Sequence, residues 1–440
     1  AESLRGLRTV GVLREDPQLG LVEMAEPMGV VAAIIPCTNP TSTAAFKAII
    51  SIKARNACVM SPHPAALKSI LASAGVIKDA AMGAGLPADA LACMDAVTLE
   101  GTQELMRCRS TSVILATGGI GLVRAAYASG KPAYGVGPGN VPVYLDRSAD
   151  VPRAVRDVVA GKSFDHGTLC SSEQALVCDA PVEAQALEQL KRNGAWLLDE
   201  REAAAVAQVV VTPQRLANPD IVGRSAVFIA EKAGLRVPPE TRVLVARLTG
   251  VGREHPLSIE KLCPVLAFYV VRDWREGLER CRELLRFGGT GHSAGIHAGD
   301  ETLIREFARA QPAFRIVANT QTSMGATGAT THLAPSMSLG CGAWAGNITS
   351  DNITPLHLLH LKRLAFPRRV AGAAPAPARE VAATLAVAAA DEPGLDFVAA
   401  AEVEKALREG RKLRLRPGAI VTPSARDAAA GSDVLVPASR

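Results

Sequence analysis

Gly29-Val30-Val31-Ala32-Ala33-Ile34-Ile35-Pro36 is an unbroken apolar run that ends in Cys37-Thr38-Asn39-Pro40-Thr41-Ser42. Continuous rather than alternating hydrophobicity predicts a strand buried on both faces, as in a parallel sheet covered by helices. Helical spacing of apolar residues follows over Thr43–Lys53. Ala57–Met60 reads as a second buried strand, closed by Ser61-Pro62-His63-Pro64, and Ala65–Gly83 as a helix. Ala96–Thr98 and Ser112–Ala116 read as further strands, with Thr102–Cys108 helical between them. Strand–helix alternation of this kind predicts an α/β fold with a doubly wound parallel sheet.

After Ala116 stands Thr117-Gly118-Gly119-Ile120-Gly121, then a helical run to Ala128. A Gly-containing turn from strand into helix presents backbone N–H groups and a helix N-terminus to an anion. It is not the G-x-G-x-x-G fingerprint, so alone it is a weak signal. Pro132–Gly139 reads as loop, Val141–Leu145 as strand and Ser148–Ala160 as helix. Upstream, Arg8–Arg14 and Gly20–Glu26 flank the turn signal Glu15-Asp16-Pro17 and predict a hairpin. An isolated hairpin is marginal in water, so it is expected to lie on another domain or subunit.

Alternation resumes downstream. Val182–Asn193 reads as a helix. Val206–Val211 and Val243–Arg247 are read as elements of a second α/β domain, with Val265–Val271 and Ser293–His297 as strands and Trp274–Arg286 as a helix. Ile316–Asn319 precedes a Gly/Thr/Ser-rich stretch through Gly346, too long for a plain connector and expected to cover a site or interface. Asn352–Arg363 is read as the last regular element of the main body. Ala371–Ala378 is Ala/Pro-rich and reads as a linker. Helical stretches are expected around Glu380–Ala390 and Phe397–Glu409, then the alternating basic strand Arg411–Arg416.

At 440 residues, two or three domains are expected. A net charge of +5 with dispersed cations and 4% aromatic residues gives no ground for a nucleic-acid partner. Nine cysteines without a C-x-x-C pair argue against a disulfide framework or zinc knuckle and for a reducing, cytoplasmic setting. The scattered histidines, His292, His297 and His332 among them, show no metal spacing, and no metal is expected. No apolar run reaches ~18 residues, so no membrane span is predicted. The chain starts at Ala1 rather than Met, and an upstream segment is expected.

One cysteine stands apart. Lys162-Ser163-Phe164-Asp165-His166-Gly167-Thr168-Leu169-Cys170-Ser171-Ser172-Glu173-Gln174 sets Cys170 in a small polar turn ahead of the apolar run Ala175-Leu176-Val177-Cys178. A thiol on a turn can meet a substrate, whereas one inside a strand usually cannot. His166, Asp165 and Glu173 lie beside it in sequence. Adjacency does not aim them at it, and they are read as structural.

Phe164–Gln174 resembles the nucleophile loop of CoA-acylating aldehyde dehydrogenases. Four further segments occur in that superfamily's order. Pro36–Ser42 resembles the loop of its oxyanion asparagine, here Asn39, and Thr117-Gly118-Gly119 its nucleotide-phosphate turn. Gly135-Val136-Gly137-Pro138-Gly139-Asn140 resembles the acylating branch's Gly-rich loop. Glu260-Lys261-Leu262-Cys263-Pro264 resembles the segment whose glutamate holds the nicotinamide ribose. The match runs from about residue 8 to 366. It implies a Rossmann-type nucleotide-binding domain, an α/β catalytic domain and a β-hairpin oligomerisation arm. The expected division is 1–28 arm, 29–145 NAD/CoA binding, 146–345 catalytic, 346–370 return to the arm, and 371–440 linker and tail. The family's N-terminal helical portion lies outside this chain.

The resemblance implies catalysis by Cys170 and Asn39, with Thr38, Ser61, Pro62, His63, Thr117, Gly118, Gly119, Gly135, Gly137 and Glu260 around the cofactor. The reaction implied is NAD-dependent oxidation of a short aldehyde to an acyl-CoA through a thioester on Cys170, coenzyme A being co-substrate. Two departures from hydrolytic relatives point the same way. Gly135 stands where they carry the glutamate that activates water, and Ser61 and Pro64 where a lysine and a glutamate grip the adenosine ribose. A dehydrogenase for a charged aldehyde such as sulfoacetaldehyde, and a non-catalytic scaffold, are the alternatives. Family members form dimers or tetramers. The tail, with Val421–Asp427, resembles packaging segments of bacterial microcompartment enzymes, which implies a shell or cargo partner.

Overall fold

The computed structural model describes residues 2–367 and 395–436. The chain divides into two compact units, Ala1–Phe366 and Pro367–Arg440. In the first, the strand Val30–Ile35 is the centre of a five-stranded parallel sheet. Ala57–Pro62 and Leu91–Cys93 lie to one side of it, Thr111–Thr117 and Ala133–Val136 to the other. Val31, Ala32, Ala33 and Ile35 are buried, because helices cover both faces. Chain direction across the sheet reverses between Val30–Ile35 and Thr111–Thr117. A crevice opens there at the carboxyl ends of the strands, the usual ligand position in such sheets.

The second sheet has seven parallel strands. Its centre is Glu173–Asp179, flanked by Val141–Leu145 and Val265–Val271. Around it pack the helices Val151–Ser163 and Trp274–Gly288. The first starts because Asp150 accepts the N–H of Arg153 and Pro152 suits a first turn. Its Val151, Ala154, Val155, Val158 and Val159 form one buried stripe. A third sheet joins the hairpin Gly11–Asp16 and Leu21–Pro27 to Leu359–Ala365, all antiparallel.

Several expectations are corrected. Ala96–Thr98 is not a strand: Thr98 accepts the N–H of Gly101 and caps the helix Leu99–Arg107, while the edge strand is Leu91–Cys93. Val206–Val210, expected as an element of the second α/β domain without a stated type, is the end of the helix Glu200–Val210, launched by the Asp199–Glu202 capping box. Pro132–Gly139 is not all loop, since Ala133–Val136 pairs with Ile114–Thr117. Val141–Leu145 belongs to the seven-stranded sheet, so the boundary between the two sheets falls at Gly137–Asn140 rather than at 145.

In the second unit, Leu395–Val398 is a strand parallel to Leu413–Val421, and the helix begins only at Ala400. The expected linker 371–378 and helix 380–390 lie outside the described residues. Among the described residues, no helix is long and apolar enough to cross a membrane.

Candidate active site

The carboxyl ends of the five-stranded sheet face the amino ends of the seven-stranded one across a cleft of about 490 Å³. Pro36, Thr38, Asn39, Ser61, His63, Thr117, Gly118 and Gly119 line the first wall, and Thr168, Cys170, Glu260 and Leu262 the second. Segments far apart in sequence therefore meet at one site.

Cys170 is presented by a strained turn. The helix Val151–Ser163 stops, and Asp165, His166 and Gly167 follow in succession with φ of 47°, 51° and 74°. Left-handed backbone at a non-glycine costs roughly 1–2 kcal/mol per residue, so surrounding bonds must hold it. Thr168 Oγ1 donates to the Asp165 carbonyl at 3.0 Å, and Ser172 N–H to the Leu169 carbonyl at 2.9 Å. Cys170 keeps part of its surface on the cleft while packing on Val136, Val317, Ala326 and Leu339. Burial pushes its thiol up to about 12; the charge of Glu260 adds to that, and Arg315 opposes it.

Asn39 starts the helix Pro40–Lys53 and is 7% exposed. Its Oδ1 accepts the hydroxyl of Thr43 at 3.0 Å and that of Thr38 at 3.4 Å. With the oxygen so engaged, the Nδ2–H groups are the atoms this side chain has to offer a substrate. Gly119 precedes the helix Ile120–Ala128 without any side-chain cap, and the buried Thr117 hydroxyl beside it has no partner among the described residues. Uncapped N–H groups with an orphaned hydroxyl make an anion cradle, which fits a dinucleotide pyrophosphate. Glu260 Oε1 accepts the N–H of Gly139 at 2.9 Å. Burial raises its carboxyl to about 8, against the lowering effect of that N–H and of Lys162 and Lys261. Gly139 must be glycine, since a Cβ there would clash with the Cys170 carbonyl and crowd the His292 ring.

Of the residues picked from sequence, Thr38, Asn39, Ser61, Pro62, His63, Thr117, Gly118, Gly119, Gly137, Cys170 and Glu260 line the cleft. Gly135 does not. It lies within the strand Ala133–Val136, its N–H bonds the Tyr127 hydroxyl at 3.1 Å, and a Cβ there would meet Val123 at 2.5 Å. A side chain at 135 would point into the helix layer, not at the thioester. Ser61 lines the wall, but its hydroxyl is tied to Thr102 Oγ1 at 2.8 Å. Glu260 is the sole carboxylate among the described residues of the lining, and that lining holds no lysine or arginine.

Sequence reasoning missed Thr98, Leu99, Leu122, Leu262 and Met337 on the walls, and His292 behind them. Met337 comes from the long Gly/Thr/Ser-rich stretch, whose length was its only signal. His292 is fully buried and its Nε2 has no partner among the described residues; burial holds its pKa at about 3, so the ring is neutral.

The aldehyde dehydrogenase family model matches residues 1–203. An aldehyde-alcohol dehydrogenase of Entamoeba histolytica is 41% identical over 83% of this chain. The chain spans only 43% of that protein's length. The acetylating succinate-semialdehyde dehydrogenase of Clostridium kluyveri is 35% identical over 82% of this chain and 80% of its own. The crystal structure of an acetylating aldehyde dehydrogenase from Geobacillus thermoglucosidasius superposes with a TM-score of 0.82, at 49% identity, over 84% of this chain and 81% of that one. With Cys170, Asn39 and the Thr117–Gly119 turn gathered on one cleft, and with likeness along most of two relatives, the chain belongs to the aldehyde dehydrogenase family.

Proposed function

We propose that the chain oxidises a short, neutral aldehyde to its acyl-CoA, with NAD as hydride acceptor and Cys170 carrying the acyl group. The observation that carries this reading is the composition of the cleft. A thiol, a free amide donor and an anion cradle share it, and its one carboxylate is engaged by a backbone N–H.

The thiolate of Cys170 attacks the carbonyl carbon. The oxygen that turns negative is held by Asn39 Nδ2–H and the backbone N–H of Cys170, donors that lose no energy to reorientation as charge develops. Thr117–Gly119 and Glu260 would hold NAD, whose nicotinamide would supply the acceptor for the hydride leaving that carbon. Collapse leaves a thioester on Cys170. The sulfur of coenzyme A then attacks it, and Cys170 leaves as thiolate. Coenzyme A outcompetes water because it brings its own sulfur, whose thiolate forms far more readily than hydroxide and attacks a thioester faster than neutral water does.

The anion cradle serves NAD and coenzyme A alike, so the two nucleotides are expected to exclude one another. The absence of cations from the described lining favours a neutral aldehyde over the charged one that the Clostridium kluyveri relative's name implies. The tail, through its resemblance to packaging segments, is proposed as the link to a microcompartment, and the three-stranded sheet as the oligomerisation arm.

The test is NADH formation across acetaldehyde, propionaldehyde and succinic semialdehyde, with and without coenzyme A. Strong dependence on coenzyme A with the neutral aldehydes is expected, and coenzyme A should inhibit competitively with NAD. Free carboxylic acid released as fast without coenzyme A would overturn the reading.

A further inference from the structure

The strand behind the nucleophile, Glu173–Asp179, is buried along its whole length, yet it opens on Glu173 and Gln174. Burying an ionisable carboxyl is costly unless bonds return the loss. Glu173 Oε1 accepts the N–H of Thr322 at 2.6 Å and that of Ser323 at 3.4 Å. Two residues earlier, Ser171 Oγ donates to the Ser323 carbonyl at 3.0 Å. The nucleophile turn is therefore strapped on both sides to the short helix Thr322–Ala326, and Ala326 of that helix belongs to the cluster on which Cys170 packs. Gln174 ties the same strand elsewhere, taking Lys162 Nζ and the Lys261 N–H on its Oε1, each at 3.1 Å.

The surroundings hold this carboxyl by one oxygen: Oε2 has no partner among the described residues, and burial raises the group to about 7 against the N–H bonds and Lys162. Gly161 faces it, and any Cβ there would collide with its oxygens. Lys162 supplies the nearby positive charge. A chain needing only stability would place an apolar residue here, as it does from Ala175 to Cys178.

We propose that Glu173 is a positioning residue: its bonds to Thr322 and Ser323 hold the turn 164–172 in its strained form, so that Cys170 Sγ stays on the Ala326 cluster and opens on the cleft. The kinetic part of this proposal rests on the acylating reading above; the thiol chemistry does not. Released from its strap, the turn would relax, and the thiol would gain solvent while losing its alignment for attack.

Two variants test it. Glu173→Ala removes the acceptor. Thr322→Pro removes the principal donor from the other side, at the first position of a helix where proline fits and after a residue, Gln321, already extended at ψ 126°. In each, kcat is expected to fall about 30- to 100-fold, the scale of an ångström-sized misplacement, with KM for NAD within about twofold. Alkylation of Cys170 by iodoacetamide, with no nucleotide or aldehyde present, should become faster. Glu173→Gln, which keeps a carbonyl oxygen for Thr322, should recover most of kcat. A folded variant with kcat and alkylation both unchanged would sink the proposal, as would a loss of kcat with unchanged alkylation. If Glu173→Ala does not fold, Thr322→Pro decides. If wild-type protein proves inactive with every aldehyde, the acylating reading has failed, and alkylation still reports on positioning.

Discussion

The two walls of the cleft are built by opposite means. The nucleotide wall offers strand ends, prolines, glycines and hydroxyls, and its described lining residues hold no lysine, arginine or carboxylate; burial lowers the pKa of its His63. Behind the nucleophile wall lie Lys162, Lys261, Glu173 and Arg315, each with 2% exposure or less. A dinucleotide brings its own charges, so backbone N–H groups suffice to receive it. A nucleophile must be aimed, and fixed dipoles and buried charges do that without reorganising during reaction. Lys47, whose amine burial lowers to about 7, shows that buried ionisable groups are not confined to one half. It lies under the nucleotide wall and donates to the Ile34 and Leu115 carbonyls at 2.7 and 2.8 Å, holding the two strands that frame the crevice.

Substitutions can break this contrast, and they rank by size. Cys170→Ala should abolish NADH formation, by more than about 10⁴-fold, and leave thermal unfolding unchanged, because a thiol packed on a few apolar groups contributes little stability. Asn39→Ala removes a donor from the nucleophile's partner wall and should lower kcat by about 10²–10³-fold in steady-state assays. Lys47→Met leaves two buried carbonyls without a donor and should cost about 3 kcal/mol in chemical denaturation, with the cleft chemistry less affected.

The thiol itself should titrate high in the free protein. Burial favours its neutral form, so the thiolate fraction, and with it iodoacetamide reactivity, should climb about tenfold per pH unit from pH 7 to 10 without a plateau. A plateau near pH 8 would mean that the wall stabilises the thiolate already. The smallest effect is expected from Thr117→Val. Its hydroxyl has no partner among the described residues, so the fold should be indifferent while KM for NAD rises about 2- to 10-fold, the value of one hydrogen bond.

Legibility differed between the walls for a physical reason. Continuous apolar runs such as Val30–Ile35 declare a doubly covered sheet, and the turns after them carry the glycines and small polar residues that name the nucleotide side. One error arose where a local bond overrode composition: Thr98 caps a helix that its neighbours make look extended. Gly135 failed otherwise: a match of letters placed it on the site, while the pleat of its strand turned it toward Val123 and Tyr127.

The chain by itself determined that parallel sheets form and that Cys170 stands on a turn and Asn39 in the loop after a buried strand, because strand burial and turn chemistry act over a few neighbours. Only the tertiary structure decided what surrounds the thiol. Glu173 reads as a bystander until Thr322, 149 positions away, brings the N–H it accepts. Nothing in the sequence around Glu260 shows that its Oε1 accepts the N–H of Gly139. A buried charge is worth what its partners make it, and those partners come from segments that sequence distance does not connect.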